Sequence, residues 1–325
     1  MTGLQVTHFG AMQDGRRVER ITLRTERLTV HVLTLGAILQ GCHLNEGPSL
    51  VVGFPDLAPY LGDMRFCGPV VGPVAGRLSG AEAMIGEMLW RFVPNEGRQL
   101  LHGGTGGLHG RLWQIADLGP SHVTLECRLA HCEDGFPGAR IFEARYRLED
   151  NRLALDLVSR TDRLTLVNLA PHAFWNLHGE GSLAGHGLRI AADQVLPLGP
   201  DLCPLGPPEP VAGRLDLRQG QALGQGAGYD HCFCLAPARA PLRPVAWLTL
   251  PDAPRLEMAT TEPGLQVYDA SRNRERPFFG VALESQCWPD APRHANYPPI
   301  LLSPEEGARA QRTVWTIHPP AEATA

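Results

Sequence analysis

The sequence holds no long cluster of Lys and Arg, no C-x-x-C pair and no apolar run long enough to span a membrane. With a net charge of -5, the missing basic cluster argues against a nucleic-acid partner. The eight cysteines (Cys42, Cys67, Cys127, Cys132, Cys203, Cys232, Cys234 and Cys287) are scattered, as buried thiols are, and do not form a disulfide framework. Residues 1–25 are charged and lack an apolar signal core, so a soluble cytoplasmic protein that does not enter membranes is expected. No Gly-Lys-Ser/Thr end follows the glycines of residues 62–80, and no serine sits in a Gly-x-Ser-x-Gly elbow. Phosphate-loop and serine-hydrolase chemistry are thereby disfavoured. Internal repeats and low-complexity blocks are missing too, and no helix-period run lasts beyond about three turns.

Glycine and proline are plentiful, 36 and 29 in 325 residues, and are spread along the chain. That distribution suits many short strands joined by turns. The clearest strand signal is Ala139 to Leu148, where Phe142, Ala144, Tyr146 and Leu148 alternate with Glu143, Arg145 and Arg147. Asp150-Asn151 supplies a turn, and Leu153, Leu155 and Leu157 form the returning face. Gly36, inside the run Val32 to Leu39, marks a place where backbone passes close to backbone. Apolar residues make up 43% of the chain, enough for a sizeable core. The expected architecture is all-β: one large antiparallel β-sandwich over residues 1–325, with no linker.

The stretch Asn168 to Glu180 carries the strongest chemical signal. His172 lies there between Pro171 and the Phe174-Trp175-Asn176 run, a setting that tunes an imidazole in a partly apolar cleft. His102, before a glycine pair, reads either as a ligand-facing imidazole or as a turn residue. Glu284 ends the apolar run Phe278 to Leu283. A carboxylate flanked by apolar mass has a raised pKa and suits a general base, the alternative being an exposed strand-end glutamate. Arg77 and Asp230 suit hydrogen bonding to ligand hydroxyls or membership of structural ion pairs. Cys232, Cys234 and His231 form a trio that adjacent strand positions do not close into a tetrahedral zinc site.

Taken in order, these pieces resemble the aldose 1-epimerase (galactose mutarotase) family over nearly the whole chain. The resemblance runs through Gly53-Phe54-Pro55-Asp56 with Tyr60, Ala75-Gly76-Arg77-Leu78, Asn95-Glu96 and Leu101-His102-Gly103-Gly104. It continues with Trp113, Glu133-Asp134-Gly135-Phe136-Pro137-Gly138, and Asn168-Leu169 leading to His172, Trp175-Asn176-Leu177 and Gly179. Gly228-Tyr229-Asp230-His231 and Glu284 with Gln286, Pro289 and Asp290 complete it.

The resemblance implies a galactose mutarotase-like supersandwich that interconverts the anomers of free hexoses without cofactor or metal. By the same resemblance, Glu284 is the general base toward the anomeric hydroxyl and His172 the general acid toward the ring oxygen. His102 bonds near that oxygen, and Arg77 and Asp230 grip hydroxyls. Asn176 belongs to the substrate-binding set, and Trp175 or Trp288 supplies an apolar platform for the sugar. The partner is a monosaccharide, and both a monomer and a homodimer are open.

Four departures bear on which sugar is preferred. Pro73 stands where the family commonly has arginine, and Gly76 where asparagine is frequent. Phe174-Trp175 replaces a Tyr-Phe pair, and Pro171 replaces a polar residue. Rival readings are a hexose-6-phosphate 1-epimerase, which needs a cationic phosphate cradle, a non-catalytic sugar-binding protein, and a lyase or hydrolase on a similar sandwich.

Overall fold

A computed structural model describes residues 5–226 and 228–320. Three antiparallel sheets carry the architecture. Gln5–Ala11, Arg17–Arg24, Leu28–Leu33 and Leu39–Leu44 form a four-stranded meander. A nine-stranded sheet is centred on the long strands Arg140–Glu149, Arg152–Thr161 and Arg309–His318. A six-stranded sheet contains, in spatial order, Phe174–Trp175, Val281–Gln286, Gly264–Tyr268, Asp230–Cys234, Gln194–Val195 and Glu209–Pro210. The only α-helical turn among the described residues is Ala58–Leu61.

The hairpin expected around Asp150-Asn151 is present in unbroken register, with Phe142 opposite Ser159 and Leu148 opposite Leu153. Its alternation is mirrored in burial, since Phe142, Ala144, Tyr146 and Leu148 are enclosed while Arg145 and Arg147 face out. Gly36 has φ +60°, and a Cβ there would come within 2.5 Å of the His109 carbonyl oxygen. A side chain at that crossing is excluded by contact with backbone.

The six- and nine-stranded sheets share one apolar core, which joins Val281, Leu283, Leu265 and Phe233 to Phe142, Leu155, Leu256 and Trp315. At its centre the rings of Trp175 and Trp315 lie 5.7 Å apart, both essentially inaccessible. Side chains alternate across a strand, so the core takes Val281 and Leu283, and the opposite face takes Ala282 and Glu284.

Trp175 is therefore a core residue. Trp175→Ala is expected to lower unfolding free energy by about 3–5 kcal/mol, read from urea denaturation. A loss below about 1 kcal/mol would show that the two sheets do not depend on this contact.

Candidate active site

Sheet register brings His172 and Glu284 together. Phe174 pairs with Ala282 and Trp175 with Val281. Extending that antiparallel register by two residues sets His172 opposite Glu284. The His172 backbone is fixed there by its own N–H donating to the Pro69 carbonyl at 2.9 Å and by the Gly68 N–H donating to the His172 carbonyl at 3.0 Å. His172 Nε2 then lies 3.4 Å from Glu284 Oε1, with both side chains almost fully enclosed.

The next strands add the other polar groups. Gln266 is the cross-strand partner of Glu284, and its amide donates to Asp230 Oδ1 at 2.7 Å. Asp230 pairs with Tyr268 one strand further on. The same face of the sheet thus presents Glu284, Gln266, Tyr268 and Asp230. A second ladder supplies Arg77 and His102, because Arg77 pairs with Leu101. Glu96 holds the Arg77 guanidinium from two sides, Nε donating at 2.5 Å and Nη2 at 2.9 Å.

All of these residues line one cleft of about 350 Å³, with Phe66, Phe174, Leu198 and Phe279 as apolar wall and Arg65 and Arg272 also on its lining. One ligand-capable atom from each of His102, His172 and Glu284 lies within 4.8 Å of the others, the only such cluster of His, Cys, Asp and Glu among the described residues.

The aldose 1-epimerase model matches residues 19–314. The chain belongs to the aldose 1-epimerase family. It is 30% identical to the galactose mutarotase of Mus musculus, over 97% of this chain and 98% of that one. It is likewise 30% identical to the aldose 1-epimerase of Haemophilus influenzae, over 90% and 93% of the two chains. The solved aldose epimerase homologue from C. elegans superposes with a TM-score of 0.86 at 24% identity, covering 93% of this chain and 99% of that one. The fold is the galactose mutarotase-like sandwich.

Electrostatics follow from burial in this aldose 1-epimerase cleft. Burial raises the Glu284 carboxyl well above its usual range, the Asp230 charge adds to that, and Arg77 opposes it. Burial also drives His172 down to about 4. The two directions agree on one point: near neutrality the pair holds a single proton between two sites. Asp230 is raised by burial against the pull of Arg77 and Arg272. Glu284 Oε2 and His172 Nδ1 are buried without a hydrogen-bond partner among the described residues.

Of the residues expected in the site, His102, His172, Glu284, Arg77 and Asp230 share the cleft. Two do not. Trp175 points into the core because it is the strand neighbour of Phe174, whose ring lines the cleft instead. Asn176 is also internal. Its amide donates to the Phe279 carbonyl at 3.0 Å and its Oδ1 accepts the His178 N–H at 3.0 Å, so it ties loops behind the site. Trp288 is enclosed as well, its indole donating to the Pro263 carbonyl at 2.9 Å.

Sequence reasoning passed over Gln266, a polar residue at an alternate position of an apolar strand, where the pattern alone predicts a cleft-facing side chain. It also passed over Phe66, whose ring centroid lies 4.9 Å from His102, 4.7 Å from His109 and 6.1 Å from His172. No local pattern marks that residue.

Burial holds five imidazoles at about 4: His31, His109, His172, His186 and His231. Each titrates below its ordinary value of 6.5 in the folded chain, so its stabilisation is complete above 6.5 and is lost as pH falls through about 4. At His186 burial is the largest cause and the neighbouring His178 adds to it, and the ring's Nε2 accepts the Leu177 N–H at 2.9 Å. Glu284 runs the other way, its contribution fading as pH rises. Melting temperature is therefore expected to drop through the acid window with proton uptake on unfolding, measured by calorimetry in buffers of different ionisation enthalpy. Unfolding without proton uptake there would contradict it.

Proposed function

We propose that the chain interconverts the α and β anomers of free aldoses by acid–base ring opening and reclosure. The observation that carries this reading is the buried His172–Glu284 pair, 3.4 Å apart on the floor of a cleft whose far side holds Arg77 and Asp230. Two strand spacings, about 10 Å, separate the strand of Glu284 from that of Asp230, with Gln266 between them on the same face, so a pyranose lying over Gln266 spans the groups.

In the opening step Glu284 accepts the proton of the anomeric hydroxyl. The electrons of that O–H bond form the carbonyl at C1 as the bond from C1 to the ring oxygen breaks. The bonding pair goes to the ring oxygen, which takes a proton from His172. Rotation about C1–C2 exposes the other carbonyl face, and the same transfers in reverse close the second anomer.

The pair begins with its one proton on His172 and ends the opening step with one on Glu284, so no proton is exchanged with solvent. Burial favours the end of this step and opposes its start, because the proton-on-glutamate arrangement carries no separated charge. Arg77 favours the ionised carboxylate and so keeps the starting arrangement within reach. His102 bonds to the sugar near its ring oxygen. Arg77, Asp230 and Gln266 bind hydroxyls, and each left unpaired by a missing hydroxyl would weaken binding.

Glu284→Gln is expected to slow anomer interconversion by roughly 10²–10⁴-fold, with sugar binding retained. His172→Asn is expected to act similarly. Polarimetry of glucose, galactose, arabinose and a hexose phosphate, with binding followed by calorimetry, provides the check. A Glu284→Gln variant that turns over at a rate near that of the parent removes Glu284 as the base. A parent protein that binds these sugars and converts none is a binding protein.

A further inference from the structure

Gly76 and His102 hold each other by two hydrogen bonds. The His102 N–H donates to the Gly76 carbonyl at 3.0 Å, and the Gly76 N–H donates to His102 Nδ1 at 3.2 Å. The Arg77–Leu101 pairing sets this up, since the same antiparallel register one residue on sets Gly76 beside His102. Both residues have left-handed backbones, φ +73° at Gly76 and +52° at His102. A Cβ on Gly76 would lie 2.9 Å from Pro289 Cβ, so the position is closed to larger residues without movement of that proline. His102 bears the cost of a left-handed conformation that a side chain ordinarily avoids, as happens where surroundings over-determine a functional residue.

The chemical consequence lies in the ring. A backbone amide cannot give up its hydrogen, so the nitrogen it points at must offer a lone pair. In the neutral imidazole the remaining proton is then on Nε2. Burial keeps the ring neutral. The ring centroids of Phe66 and His172 lie 4.9 and 5.2 Å from that of His102, which packs the ring in place, and a ring flip would break the Gly76 bond. His172 is held differently, because its Nδ1 has no partner among the described residues and its Nε2 faces Glu284.

We propose that Gly76 is a positioning residue whose amide locks His102 as the Nε2–H tautomer. His102 then serves only as a hydrogen-bond donor to a sugar oxygen, and proton transfer is left to His172. This divides the labour of two imidazoles that stand side by side in one cleft. A ring so locked presents an N–H, not a lone pair, so the trio of His102, His172 and Glu284 handles protons and is not a ready cage for a metal ion.

The proposal rests on the mutarotase reading for its catalytic part, and two measurements separate them. Nitrogen NMR of isotope-labelled histidines in the intact protein is expected to show His102 protonated at Nε2 and bare at Nδ1. A ring protonated at Nδ1, or a mixture of tautomers, overturns the lock and needs no turnover to observe. In kinetics, His102→Gln keeps an amide N–H at the ε position, whereas His102→Asn moves it to the δ position. His102→Asn is expected to lose roughly 10²–10³-fold in kcat, the loss typical of a donor removed from a developing negative charge, and His102→Gln to recover most of it. Equal loss in two folded variants, or a faster Asn variant, overturns the donor role. A parent protein without anomer interconversion but with the Nε2–H tautomer removes the mutarotase reading and the donor role, and leaves the Gly76 lock in place.

Discussion

A single proton shared by two buried groups is the constraint on which the site depends. Glu284 and His172 are enclosed together, so neither ionises freely and each is moved away from its ordinary range in the opposite sense. Separately, a buried carboxylate or imidazolium would be costly. As a pair they hold one proton in either of two places, and the reversible chemistry proposed for the cleft uses both placements. The surrounding structure encloses this pair while leaving one side on the cleft.

That pairing is a product of sheet register. The two-residue strand Phe174–Trp175 adds to the edge of Val281–Gln286, and the alignment of Phe174 with Ala282 extends to His172 and Glu284. A slip of that edge strand by one residue would turn Phe174 into the core and Trp175 into the cleft, and would move His172 out of line with Glu284. The packing of Trp175 on Trp315 opposes such a slip, because it anchors the edge strand to the nine-stranded sheet. Stability of the sandwich and placement of the acid–base pair thus depend on the same few contacts. The Arg77–Leu101 ladder does the same service on the other wall, where it supplies both the guanidinium held by Glu96 and the clamped ring of His102.

The cleft combines rigid and exposed parts. Glu284, Gln266 and Asp230 stand on neighbouring strands of one sheet, which fixes their spacing. Arg65 and Arg272 belong to two connecting segments, and Arg272 reaches Asp230 only at 3.6 Å. The carboxylates and Gln266 are therefore placed on the sheet, His172 and His102 just beyond the ends of two-residue strands, and Arg65 and Arg272 on connecting segments, where changes do not disturb the sheet-borne groups.

Much of this was legible in the chain alone. Alternation in Ala139 to Leu148 with its turn at Asp150-Asn151, the spread of Gly and Pro and the lack of long helix-period runs together pointed to an antiparallel all-β protein, because a two-residue period is written directly into the order of side chains. The apolar run into Glu284 and the aromatic setting of His172 marked both as unusual, since few locations tolerate such groups beside so much apolar mass. What the chain could not show was which of two adjacent residues faces which way. Phe174 and Trp175 look interchangeable in sequence, yet one lines the cleft and the other fills the core, and Asn176 bonds to backbone behind the site. Gln266, Phe66 and the Gly76–His102 clamp come from segments far apart in the chain, so no local pattern announces them. Composition and periodicity determined the class of fold and the chemical types available. Only the packed sheets decided their partners, because register and burial are properties of pairs of segments and not of either one alone.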